Sequence, residues 1–234
     1  KSYARSDRYT IKQYEQETNF IAHLLLDASN SMRYGFGLTN KLEYAKLLAA
    51  SLSYLILRQR DSVSLRVFNT EVEAELPPSS QFGHLNSITR TLEEIQPREG
   101  TSIGPLLDRL ADQVSRRGIV ILISDCLEES LEPILSGLRH LRFRGHEVIL
   151  FHILHHDEVE FPLYGNLRFI ALEGTEELLT RPHLIRPAYL RIVQQYLQDI
   201  RKGCDGSGVD YVQMFTHRSL GNALAEYLVR RLKK

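Results

Sequence analysis

Two short, almost unbroken apolar runs constrain the fold of this chain most: FIAHLLLD at 20–27 and GIVILISD at 118–125. Each has the length of one strand, and each stops on an aspartate. A strand that is apolar at nearly every position has both faces covered, the condition of a parallel sheet with helices on either side. Longer helical patterns alternate with such runs along the rest of the chain, which predicts a doubly wound α/β fold.

The periodicity predicts a helix over Asn40–Arg60, where Leu42, Ala45, Leu48, Leu52, Leu55 and Ile56 share a face and Thr39 or Asn40 caps the start. Strands follow at Ser62–Phe68 and Val72–Leu76. Only Asn69-Thr70-Glu71 joins them, so they read as a hairpin with an antiparallel edge strand, ended by Pro77 and Pro78. Further helices are expected at Leu85–Ile95, Ser102–Arg116, Leu131–Phe143, Ala188–Arg201 and Leu220–Leu232, and strands at Glu147–Leu154 and Val209–Phe215. The stretch His155–Pro187 is the least regular, with a small extra strand at Leu167–Leu172. With no repeat and no linker, one domain over 19–234 is expected, preceded by an extension at 1–18. A first residue Lys1 without Met reads as an internal point of a longer natural product, or as an artificially chosen first residue.

Composition narrows the function classes. Lys plus Arg (29) balances Asp plus Glu (29), which gives no electrostatic footprint for nucleic acid or an anionic membrane. Two cysteines, Cys126 and Cys204, cannot make a disulfide framework or a cysteine-rich zinc site, and a reducing, cytoplasmic setting is expected. The longest apolar stretch, Leu47–Leu57, is about half of what a membrane span needs.

The first aspartate opens the array Asp27-Ala28-Ser29-Asn30-Ser31 at the carboxyl end of its strand, where open α/β sheets bind ligands. Alternate residues of an extended turn can point the same way, so Asp27, Ser29 and Ser31 can converge. One carboxylate and two hydroxyls form an all-oxygen set suited to Mg²⁺ or Mn²⁺. Thr101 adds a hydroxyl where a loop opens a helix, and Asp125 ends the second buried strand. Taken singly, these residue types also serve as turn and helix caps.

Together, Asp27, Ser29, Ser31, Thr101 and Asp125 resemble the metal-ion-dependent adhesion site of von Willebrand factor A-type (vWA) domains. That resemblance implies direct coordination by Ser29 and Ser31, direct or water-mediated binding by Thr101, and Asp27 and Asp125 acting largely through water. It also implies a Rossmann-like sheet of order 3-2-1-4-5-6 with one antiparallel edge strand, and an ion between strands one and four. The segments YARSDRYTIKQYEQETN, LLLDASNSM, KLEYAKLLAASLSYLILRQRDSV, RGHEVILFHIL, EFPLYGNLRFIALEG and GVDYVQMFT are similar to the bacterial domain-of-unknown-function 58 family. Members of that family are often encoded beside MoxR-type AAA+ ATPases. The expectation is therefore a module that binds a protein partner, an ATPase or its client, through Mg²⁺ or Mn²⁺ and a partner carboxylate.

The competing expectation is a Mg²⁺-dependent phosphatase using the same strand-end carboxylates. Haloacid-dehalogenase phosphatases need a second Asp two positions after the first, and Ser29 stands there. No P-loop, G-x-G-x-x-G or G-x-S-x-G occurs. His152, His155, His156 and Asp157 form a cluster read as structural or surface residues, because adjacent histidines tend to point apart. Cys126 reads as a small buried residue. Met32, Tyr34 and Phe36, among Gly35 and Gly37, are expected to form an apolar rim for a partner.

Overall fold

The computed structural model describes residues 20–98, 100, 102–114, 116–170 and 177–232. In chain order the elements are β1 (Ile21–Asp27), α1 (Lys41–Arg58), β2 (Ser62–Phe68), β3 (Val72–Ser79), α2 (His84–Glu94), α3 (Ile103–Gln113), β4 (Ile119–Ser124), α4 (Glu132–Phe143), β5 (Glu147–Leu154), α5 (His156–Glu160), β6 (Leu167–Ile170), β7 (Glu177–Thr180), α6 (Pro182–Gly206), β8 (Asp210–Phe215) and α7 (Leu220–Arg231). The expected extension at 1–18 lies outside the described residues.

Six strands make one sheet in the order β3-β2-β1-β4-β5-β8. Neighbours run parallel throughout except β2 and β3, the hairpin read from the sequence. The apolar run of β1 is explained by its position: Leu24 and Leu26 enter a core shared with α1, α2 and α7, whereas Leu25 enters the opposite core with α3, α4 and α6. Successive side chains of a strand point to opposite faces, so covering both faces requires apolar residues at both parities. Asn40 caps α1 by accepting a hydrogen bond from Glu43 N at 3.1 Å.

Some boundaries differ from expectation. Pro77 and Pro78 do not end β3, which continues to Ser79 opposite Val63 with a register shift on the way. Proline is tolerated there because β3 is an edge strand, with one side free of ladder hydrogen bonds. Helix α3 stops at Gln113 because Val114 is extended. Helix α6 starts at Pro182, six residues before the expected Ala188, and contains Pro187. A proline at the first helical position lacks only an N–H that has no intrahelical partner anyway. The irregular stretch holds α5 and an antiparallel pair, β6 with β7, separate from the main sheet. Among the described residues, no helix is long and apolar enough to cross a membrane.

Candidate metal centre

The chain reverses its winding direction between β1 and β4, the adjacent parallel strands that diverge to opposite edges of the sheet. Asp27 ends β1 and Asp125 directly follows β4, so both carboxylates are delivered to one crevice at the carboxyl edge. Backbone bonds fasten the loops there: Ala28 N donates to Phe68 O at 2.7 Å, and Arg98 N donates to Ala28 O at 3.0 Å. Beyond Asp125, Cys126 has a φ of 52°, a left-handed conformation that turns the chain sharply away.

Asp27, Ser29, Ser31 and Asp125 are all buried, and the structure brings them together. Asp27 Oδ1 accepts from Ser29 N at 2.8 Å, and its Oδ2 accepts from the Ser124 hydroxyl at 2.6 Å. The Ser29 and Ser31 hydroxyl oxygens lie 3.0 Å apart. Asp125 Oδ1 accepts from Leu127 N at 3.1 Å, and Ser31 also donates to this carboxylate. Thr101 lies outside the described residues.

Three side chains complete the centre that the sequence reading missed. Ser124 joins the two strands by bonding Asp27 and accepting from Cys126 N at 2.8 Å. Lys41, the first residue of α1, is fully buried, and its Nζ donates to Asp125 Oδ2 at 2.7 Å and to Glu158 Oε1 at 2.5 Å. Glu158 holds its place by also capping α5, accepting from His155 N through Oε2 at 2.7 Å. Nothing local in the sequence marks Lys41 as part of the centre, since its two carboxylate partners lie 84 and 117 residues away.

The two carboxylates are electrostatically unlike. Burial raises the Asp27 carboxyl, and the charge of Asp125 raises it further, against the hydrogen bonds from Ser124 and Ser29. Burial also acts to raise Asp125, but the Lys41 ammonium outweighs it and the net shift is downward. For Lys41 itself, burial opposes the charge while Asp125 and Glu158 favour it, and its affinity for the proton rises overall. Among the described residues, Asp27 makes no ion pair, whereas Asp125 makes one.

The donor set fits a divalent cation. Two oxygens at adjacent corners of an octahedron with metal–oxygen distances of about 2.1 Å lie about 3.0 Å apart, the spacing of the two serine hydroxyls. A buried carboxylate without a counter-ion is costly, and a cation beside Asp27 removes that cost.

The model of the family described as "Protein of unknown function DUF58" matches residues 1–197. The chain belongs to the DUF58 family. Its fold is vWA-like. The similar solved structures include BatB from Bacteroides thetaiotaomicron, at 20% identity and a TM-score of 0.54, covering 92% of this chain and 100% of that one. An aerotolerance-related membrane protein from Bacteroides fragilis NCTC 9343 gives 20% identity and a TM-score of 0.59, over 90% and 97%. The SpRpn10 VWA domain gives 10% identity and a TM-score of 0.50, over 88% and 94%. No curated protein matches the chain.

Around the centre of this DUF58 domain the expected rim is rearranged. Met32 is no part of it, because its side chain is buried in the core with α1 and β1. Tyr34 is half-buried and donates to Asp157 Oδ2 at 3.0 Å. Phe36 is 92% exposed, and Leu38 (83%) and Leu127 (56%) join it as apolar surface on the loops leaving the centre. His155, His156 and Asp157 do not point apart as expected, since each offers a ligand atom within 4.8 Å of the others. His155 Nδ1 nevertheless accepts from Asp157 N as the cap of α5. His152 lies elsewhere, buried between Tyr211 Oη and Asp125 O. Cys126 and Cys204 are buried free thiols, and burial pushes both upward in pKa.

Proposed function

We propose that this DUF58 domain is a divalent-metal-dependent protein-interaction module. One observation carries the reading: Asp27 is buried without an ion pair among the described residues, beside two hydroxyls at octahedral spacing. Ser29 and Ser31 would hold the ion directly, while Asp27 and Asp125, both already hydrogen-bonded, would act on its water ligands. A bound Mg²⁺ or Mn²⁺ supplies an open coordination position for a carboxylate oxygen of a partner. Exposed Phe36, Leu38 and Leu127 would give that partner apolar contact beside the carboxylate.

The family resemblance favours a MoxR-type AAA+ ATPase or its client as that partner, and buried free thiols suit a cytoplasmic setting. Hydrolysis is the weaker reading. Ser29 stands where a phosphatase of that class carries its second aspartate, and a hydroxyl there cannot replace the general acid.

Thermal unfolding in EDTA, Mg²⁺ and Mn²⁺ tests the centre. An ion at a hundred times its dissociation constant adds about 2.7 kcal/mol to the folded state. We expect a higher Tm with Mg²⁺ or Mn²⁺ for the wild type and none for Asp27→Ala. Pull-down of a MoxR-type ATPase should then require the ion, and capture by Asp27→Ala in EDTA would defeat the reading. Turnover of a generic phosphate ester that disappears in Asp27→Asn would instead favour the hydrolase.

A further inference from the structure

Lys41 is in an unfavourable place for a lysine. Its side chain is 1% exposed, as is appropriate to an apolar residue, and its ammonium lies at the first position of α1, where the helix dipole disfavours a cation. Two carboxylates hold it there. Asp125, at 2.7 Å, belongs to the metal set, whereas Glu158, at 2.5 Å, belongs to α5.

Charge counting gives this arrangement a consequence. Asp27 and Asp125 bring two negative charges to the buried centre, and the ammonium cancels one through direct contact with Asp125. The Glu158 side chain is 26% exposed and contacts the ammonium rather than the serines, so solvent screens its charge in part and it reaches the centre only by offsetting some of the Lys41 charge. A divalent ion entering between Asp27 and the two hydroxyls therefore meets one net negative charge instead of two. The loaded centre keeps one positive charge, which an incoming carboxylate neutralises. With an apolar side chain at position 41, ion and carboxylates would balance and no further anion would be needed.

We propose that Lys41 couples metal binding to anion binding: by neutralising Asp125 it weakens the centre's hold on a free divalent ion and leaves the loaded centre in need of a partner's carboxylate. This inference rests on the metal-dependent reading above. Lys41 acts through Asp125 and is a positioning residue, not a metal ligand.

Mn²⁺ titration followed by the electron paramagnetic resonance of the free ion tests it, with acetate as the anion probe. The full 234-residue chain is used as wild type, Lys41→Met, Lys41→Arg, Glu158→Gln and Asp27→Ala. Lys41→Met should bind Mn²⁺ about tenfold more tightly than wild type, a change expected for one charge near a partly shielded ion. The same variant should lose the strengthening of Mn²⁺ binding that acetate gives the wild type. Lys41→Arg should stay close to wild type. Glu158→Gln should bind Mn²⁺ more weakly, because the ammonium then loses one of its two compensating carboxylates.

Opposite shifts at the two ends of one ion pair distinguish charge balance from a packing defect, which would weaken both. Equal or weaker binding by Lys41→Met overturns the inference. Should that variant not fold, unchanged or tighter binding by Glu158→Gln overturns it. If wild type and Lys41→Met both ignore Mn²⁺ at millimolar concentration, the metal reading itself fails. Wild-type binding that depends on Asp27 but is indifferent to Lys41 leaves the metal reading standing and removes only the inference.

Discussion

His23 shows how a single buried polar side chain shapes the behaviour of the domain. It lies on β1 with Nδ1 at 2.8 Å from Ser64 Oγ, while Nε2 is buried with no hydrogen-bond partner among the described residues. Burial, and then the charges of Arg66 and His146, lower its pKa from 6.5 to about 4. The unfolded chain therefore takes up a proton near pH 6.5 that the folded domain refuses until about pH 4. Protons favour the unfolded state in that window, so stability from this site is complete above pH 6.5 and is lost as pH falls towards 4. Urea unfolding across that range should show a shallower acid-side slope for His23→Gln, by up to about one proton. An unchanged slope would mean that His23 is already protonated in the fold. In the candidate centre, likewise, the residues that carry charge are not all the residues a motif names. Asp27, Ser29, Ser31 and Asp125 were legible from their places at strand ends. Ser124, Lys41 and Glu158 were not, because their roles depend on which neighbour each one reaches.

Helices α3 and α4 approach through glycine. A methyl group at Gly104 would lie 2.6 Å from Pro133 Cβ and 2.8 Å from its backbone, and one at Gly137 would lie 2.6 Å from Leu107 Cβ. Neither contact can be relieved by turning a flexible side-chain tip. Gly104→Ala should therefore destabilise the domain by about 1–3 kcal/mol despite its better helix propensity. Chemical denaturation measures this directly, and a stabilised variant would show that the helices can separate at little cost. This pair lies on the face of the sheet that carries Asp125 forward into α4, so the helix spacing also fixes the loop holding Ile103 N to Glu128 Oε1 at 2.6 Å. The boundaries that were misread, at β3 and α6, both involve prolines. A proline is a strong stop signal in sequence, yet an edge strand accepts it on its open side, and α6 starts on Pro182 and runs on through Pro187. Which of these positions it occupies depends on the surrounding sheet and helix.

The main sheet separates two cores, and β1 contributes to both. Leu24→Ala and Leu25→Ala should each cost about 2–5 kcal/mol, since each empties a fully buried position on a different face. Urea unfolding of the two variants checks this, and a large loss at one with almost none at the other would mean one face is poorly covered. The β1 and β4 runs were recognisable because apolar content, strand length and a terminal aspartate are properties of consecutive residues. The same locality made the hairpin, the α1 cap and the Asp27-to-Ser31 array readable, and the vWA-like topology followed from what that array resembles. Contacts across the sheet follow another rule. Lys41 meets Asp125 over 84 residues and Glu158 over 117, and no local pattern encodes either meeting. They exist because α1 packs beside β1, β4 brings Asp125 next to it, and β5 delivers α5 to the same edge. Local periodicity thus fixed the strands and the position of the motif, whereas long-range packing set the charge of the centre, because electrostatic balance depends on distances in space and on the exclusion of water.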